Sequence, residues 1–234
     1  MQEFLAAVAA AEEKDEVLRR AAEFYRRNGF EAMAYMFPSP GDPERMELIN
    51  LGFSTEVIDL YNTLNLPTLN PHPTFVTGRG KVFAFSELSR HDGFDRSARE
   101  LLSTLAATGL PDGLAIPAYG LRATTSLFCV GMPKKRDAVL TADRVSFQAM
   151  AQQAQLRIDQ IAAEEDDAAI PNLSAREQQI LRWIAAGKSN SELAIILGIS
   201  QPTVATYVKR LFAKLGVHDR VAAAVSGLRL GLVR

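Results

Sequence analysis

Two adjacent cations, Lys209 and Arg210, stand on a stretch that begins near Gln201 and is patterned as a helix with two unlike faces. Val204, Val208, Leu211 and Leu215 recur at i, i+4, i+7 and i+11, so they share a buried side. At about 100° per residue, Pro202, Thr206, Lys209, Arg210 and Ala213 then fall on the solvent side. The chemistry available there is nucleic-acid recognition. Small and hydroxyl-bearing residues permit close approach to a major groove, and cations meet phosphates or base edges. Spacing alone leaves two other readings open: an amphipathic helix with a solvated basic face, and a protein-docking module.

The elements that must hold this helix carry their own start and stop signals. Ser174 and Glu177 form a capping box, in which hydroxyl and carboxylate satisfy two orphan backbone donors. Ile180, Leu181 and Ile184 follow at helical spacing, and Gly187 supplies a left-handed stop. Ser189 and Glu192 repeat the box ahead of Leu193, Ala194 and Leu197, with Gly198 as the stop. Ser200 caps the next helix, and Pro202 sits in its first turn, where an amide would be orphaned in any case. Two helices joined by the tight Gly198-Ile199-Ser200 turn are a helix-turn-helix.

The motifs Leu173-Ser174-x-Arg176-Glu177, Ala185-x-Gly187-Lys188-Ser189-x-x-Glu192-Leu193-Ala194, Ile199-Ser200-x-x-Thr203-Val204 and Lys214-Leu215-x-Val217-x-x-Arg220 together resemble the LuxR-type helix-turn-helix. Tyr207 stands where that family commonly has His; both present a flat ring with a polar tip. The resemblance implies a DNA-binding domain, with Lys188, Gln201, Thr203, Thr206, Lys209 and Arg210 as its DNA-contacting residues.

Charge divides along the same line. From residue 173 onward there are nine Lys/Arg against three Asp/Glu, whereas the rest of the 234 residues carry 17 against 24. A basic module joined to an acidic one fits a nucleic-acid binder with a separate sensor or partner domain. Cys129 is the single cysteine, and His72, His91 and His218 lack ligand spacing, so no disulfide framework, metal site or cofactor is expected. The N-terminus has no basic segment leading an apolar one, and no apolar run approaches about 18 residues. A cytoplasmic protein without membrane contact is expected. Catalysis finds no support either. No Ser/His/Asp arrangement is present, and Thr77-Gly78-Arg79-Gly80-Lys81 lacks the spacer of a phosphate loop and reads as a tight turn.

Upstream, helices are expected over 3–12 and 15–28 and strands over Ala32–Phe37 and Arg45–Leu51. A helix should start at Ser54, irregular chain should run over Asn65–Pro73, and a strand should cover Lys81–Phe85. A helix is expected near 94–107, strands over Gly113–Ala118 and Thr124–Gly131, and a long helix capped by Thr141 to about Ala163. The fold class is therefore α+β: an N-terminal α/β/α sandwich with a mainly antiparallel sheet, plus a C-terminal all-α four-helix domain. The domains are expected at 1–163 and 173–234, joined by an acidic linker at 164–172 that includes Glu164-Glu165-Asp166-Asp167.

The N-terminal part also resembles the autoinducer-binding domain of LuxR-type quorum-sensing regulators, which holds an N-acyl homoserine lactone between sheet and helices. The family pattern is a Trp and a Tyr four apart, then Asp-Pro, an aromatic and a Gly. Here it reads Val57, Tyr61, Asn70-Pro71, Phe85 and Gly113. Cys129 stands where relatives often carry a hydroxyl lining the pocket. Each residue is also ordinary core or turn chemistry taken singly; together, at family spacing, Val57, Tyr61, Asn70, Phe85, Gly113 and Cys129 are the candidate ligand-binding set. In the family the Trp donates to the lactone carbonyl and the Asp accepts from the ligand amide. Valine donates nothing, so the expected signal is a small apolar molecule other than a standard lactone.

The resemblance implies a homodimeric transcriptional regulator on an inverted-repeat site in double-stranded DNA, with RNA polymerase as a further partner. Val221, Val225 and Leu228 of the last helix, and the long 141–163 helix, carry the apolar surface for dimerisation. A ligand-independent regulator whose sensor-like domain only dimerises is the alternative. A docking adaptor is a third reading, disfavoured by the cationic face.

Overall fold

The computed structural model describes residues 1–39, 42–63, 72–88, 112–121, 124–135, 137–165 and 171–233. Its tertiary contacts divide the chain into one unit of Met1–Gly120 with Thr124–Ile161 and another that holds Ala162–Arg234.

The first unit opens with helices α1 (Gln2–Ala9) and α2 (Lys14–Arg27), followed by strands β1 (Phe30–Ser39) and β2 (Asp42–Leu51). Next come α3 (Thr55–Thr63), α4 (His72–Arg79), a two-residue β3 (Phe83–Ala84) and the short α5 (Phe85–Leu88). Strands β4 (Leu114–Tyr119) and β5 (Thr125–Pro133), the turn of helix α6 (Ala138–Thr141) and the long α7 (Arg144–Glu165) complete it. The strands form one antiparallel sheet in the order β2-β1-β5-β4-β3.

Both faces of the sheet are covered, and the period-two alternation of its strands sorts residues between them. Met33 and Tyr35 of β1, Leu114, Ile116 and Ala118 of β4, and Phe128 and Val130 of β5 pack with Val17, Leu18, Tyr25, Phe147 and Met150 from α2 and α7. Met36, Ala115, Leu127 and Cys129 point the other way, toward Val76 and Leu88. Tyr25 donates to the Phe147 carbonyl at 3.1 Å, tying α2 to α7 inside the larger core.

Four expectations are corrected. The strand expected over Lys81–Phe85 is only Phe83–Ala84, because α5 starts at Phe85 and takes the chain away from β4. Thr77–Arg79, expected in a tight turn, closes α4, and Gly80 ends that helix at φ +64°. Pro73, expected in irregular chain, stands at the second position of α4, where a missing amide costs nothing. Thr141 does not cap the long helix; its hydroxyl bonds the Asp137 carbonyl at 2.9 Å, and Asp143 caps α7 by accepting from the Ser146 amide at 3.1 Å. The helix expected near 94–107 and the Asn70-Pro71 turn lie outside the described residues.

The shortness of β3 leaves the end of β4 without a strand neighbour, and α7 serves that edge with glutamines. Gln148 donates to the Pro117 carbonyl, and Gln152 both accepts from the Tyr119 amide, at 3.1 Å, and donates to the Tyr119 carbonyl. Pro117 has no amide to satisfy. Further along, Gln155 accepts from Tyr35 at 2.9 Å and from Ser126, and donates to Asp159 at 2.8 Å. Burial and the Asp159 charge push the Tyr35 hydroxyl well above its ordinary pKa, so it stays a neutral donor.

The second unit is four helices: α8 (Ala175–Ala185), α9 (Asn190–Leu197), α10 (Gln201–Leu215) and α11 (Arg220–Arg229). Ile180, Leu181, Ile184, Leu193, Val204, Val208 and Leu211 make its core. Among the described residues, no helix is long and apolar enough to cross a membrane.

Candidate functional site

In the second unit the local signals act as their residue types dictate. Ser174 and Glu177 close a full capping box at α8, as do Ser189 and Glu192 at α9. Gly198 turns the chain at φ +63°, a conformation that costs a side-chain-bearing residue about 1 kcal/mol or more, and Ser200 then accepts from the Thr203 amide to open α10. Arg176 donates to the Leu197 carbonyl at 2.9 Å, fixing the end of α9 against the start of α8.

Helix α10 thus presents one face outward. Val204 and Leu211 are fully buried and Leu215 is half-buried, whereas Gln201, Pro202, Thr203, Ala205, Thr206, Lys209, Arg210 and Ala213 are exposed. Ala205, Lys209 and Ala213 line an open depression together with Asn190 and His218. The exposed residues differ in what they have left to offer. Thr203 shares its hydroxyl with Ser200 at 2.7 Å, so it is engaged in the cap. Lys188 pairs with Glu192 at 3.1 Å; hydrogen bonds from the Ser189 amide and hydroxyl and from Lys188 pull that carboxyl down to about 2. Tyr207 is half-buried and packs against the helical core. Val221, Val225 and Leu228 lie on α11 at 74%, 49% and 47% exposure, one apolar row open to solvent.

In the first unit Tyr61, Phe85 and Cys129 come together in one apolar cluster. Around them stand Met36, Phe75, Val76, Leu88 and Leu127, none of which sequence reasoning singled out. Phe75 and Val76 were masked by the Pro and Gly residues flanking them; the other three carry no signal apart from hydrophobicity. Val57 lies in the adjoining cluster with Phe53, Ile58 and Leu48, and Leu48 and Cys129 belong to both. Asn70 lies outside the described residues. The Tyr61 hydroxyl is buried within this apolar cluster. Burial pushes the Cys129 thiol up to about 12, and it leans on Met36 Sδ at 3.8 Å, so it is an apolar wall residue and no nucleophile. Gly113 is required by closeness: a Cβ there would lie 2.3 Å from the Val130 carbonyl oxygen and 2.5 Å from Phe85 Cε2. The missing side chain leaves the Phe85 ring room to approach the strand.

Two family profiles match the chain. One, described as the autoinducer binding domain, covers residues 13–158; the other, bacterial regulatory proteins of the luxR family, covers residues 171–226. The putative HTH-type regulator y4qH of Sinorhizobium fredii is 31% identical over 137 residues, which are 58% of this chain and 41% of that protein. The quorum sensing-dependent transcriptional regulator RpaR of Rhodopseudomonas palustris is 27% identical over 183 residues, 78% of this chain and 74% of that one. SdiA of Escherichia coli has the same fold, with a TM-score of 0.75 at 19% identity over 99% of this chain and 96% of that chain. SdiA solved in complex with octanoyl-rac-glycerol gives 0.72 at 17% identity over 100% and 95%.

Proposed function

Because the chain belongs to the LuxR family of quorum-sensing transcriptional regulators, we propose that it binds an inverted-repeat DNA site as a homodimer under the control of a small apolar signal. The observation that carries the DNA part is the outward face of α10, where Lys209 and Arg210 stand exposed opposite a fully apolar stripe. A protein dock has no need of that pairing of charge and small residues; a major groove does. The exposed Val221, Val225 and Leu228 row on α11 supports dimerisation, since a two-fold protein matches a two-fold site.

For the signal, Tyr61 is the polar anchor, able to donate to a carbonyl from within the cluster of Phe85, Cys129 and Met36. Val57 stands where the family has an indole donor. A lactone carbonyl beside it loses a hydrogen bond, at a cost of about 1–3 kcal/mol unless another donor intervenes. The favoured signal is an apolar, carbonyl-bearing molecule other than a standard N-acyl homoserine lactone. SdiA accommodates octanoyl-rac-glycerol in the same fold, which supports a non-lactone acyl ligand as a chemical type.

Native mass spectrometry of the protein from its own host tests the signal: a co-purifying acyl compound without a homoserine lactone ring is expected. Selection of duplexes from a random pool tests the DNA part, with a palindromic site expected. A protein that is ligand-free yet binds that site would mark the first unit as a dimerisation platform only.

A further inference from the structure

Resting on the DNA-binding reading, we propose that Thr206 is a specificity residue that reads a thymine methyl and excludes guanine at its contact, while the neighbouring cations read guanine. Thr206 is exposed, yet its hydroxyl proton is already committed: Oγ1 donates to the Pro202 carbonyl one turn back, at 3.1 Å. The side chain therefore offers the groove a methyl group and a lone pair, and no donor. In the major groove an A·T pair presents the thymine methyl and the adenine amino donor, both of which suit that offer. Guanine presents only acceptors, N7 and O6, which need a donor that Thr206 no longer has.

The surroundings of Thr206 sharpen the choice. Pro202 and Ala205 flank it, both exposed and neither with a polar side chain, so the surface immediately around Thr206 is apolar and short enough for close approach. One turn further along, Lys209 stands over Ala205 and Arg210 over Thr206, each at i+4. Four residues of helix span about 6 Å, less than two base-pair steps of about 3.4 Å. Each apolar position is thus paired with a cation reaching the next one or two base pairs. The half-site is accordingly an A·T pair, its thymine under Thr206, within two steps of a guanine held by Arg210 or Lys209.

The test uses the full chain and the duplex it selects from a random pool, with each thymine replaced in turn by deoxyuridine, which lacks only the methyl. Burying one methyl is worth about fourfold in Kd, so one position per half-site should lose about fourfold and a doubly substituted palindrome about fifteenfold. Thr206→Val keeps a methyl and should keep the discrimination. Thr206→Ser keeps the bond to Pro202 but loses the methyl, and should bind thymine and uracil sites alike. Unchanged low-salt binding to random DNA shows that the variants are folded. A selected site indifferent to every uracil, or a serine variant that still discriminates, overturns the inference alone. A wild-type chain that selects no site overturns the DNA-binding reading and the inference with it.

Discussion

Lys214 Nζ lies 2.7 Å from a carboxylate oxygen of Glu177, whose side chain is only 4% exposed. The same lysine donates to the Asn172 carbonyl at 2.9 Å, so α10, the α8 capping box and the segment entering the helical unit meet at one ammonium group. Burial opposes ionisation of Glu177, but hydrogen bonds from Lys214 and from the Ser174 amide and hydroxyl outweigh it and hold the carboxyl below the usual range. A depressed carboxyl contributes stability in full above its unfolded pKa of about 4.3 and loses it as pH falls through the folded value. Amide protection over 173–233 should therefore decline below about pH 4. Glu177→Gln should flatten that decline while costing about 1–3 kcal/mol at neutral pH. An unchanged acid profile in the variant would remove Glu177 from this role.

Lys209→Ala or Arg210→Ala should weaken binding to the selected site without altering the fold, because both side chains are exposed on α10. A phosphate contact lowers affinity for all sequences and reduces the salt slope by about one; a bidentate base contact costs about 1–3 kcal/mol at one position. Salt titrations on specific and random duplexes separate the two. Wild-type affinity in both variants would refute the groove assignment.

Val225→Arg or Leu228→Glu should produce monomers in sedimentation, with operator affinity falling in step, since each places an unpaired charge in the apolar row of α11. Variants that stay dimeric would move the main contact to α7, where the exposed Val145 is the first residue to change.

Common N-acyl homoserine lactones should bind weakly or not at all, because Val57 supplies no donor where the family supplies an indole. Calorimetry against lactones of varied chain length checks this. Submicromolar binding by an ordinary member would refute the non-lactone assignment.

Gly113→Ala should destabilise the first unit by about 1–3 kcal/mol, since its methyl would meet the Val130 carbonyl oxygen and the Phe85 ring. The change should appear as a lower unfolding midpoint even without ligand. Pairing it with Phe85→Leu should recover part of the loss; a glycine replaced without penalty would separate position 113 from Phe85.

The helical unit was almost fully legible because its instructions are local. Ser174, Ser189 and Ser200 each bond within three residues of themselves, and Gly198 and Gly216 stop helices where they stand. The sandwich was legible as a class, from its alternating strands, but not in its junctions. Asp143 and Thr141 are both plausible caps by type, and only the geometry assigns the role to Asp143. Nothing in the sequence points to Gln148 and Gln152, since their partners on β4 lie 31 and 33 residues away. Tyr61 and Phe85 were found through the family resemblance; Phe75 and Val76, which share their cluster, lay between the irregular stretch expected over Asn65–Pro73 and the turn expected at Thr77–Lys81, where no element was expected.

The glutamine row of α7 also limits how that helix can move. Gln148, Gln152 and Gln155 each grip a fixed atom on the sheet, and they do so at intervals of four and three residues. A slide along the helix axis lengthens all of these contacts together, because the three side chains stand on one helix. The row therefore fixes the register of α7 against the sheet, so that an axial shift of the helix gives up contacts to β1 and β4 together.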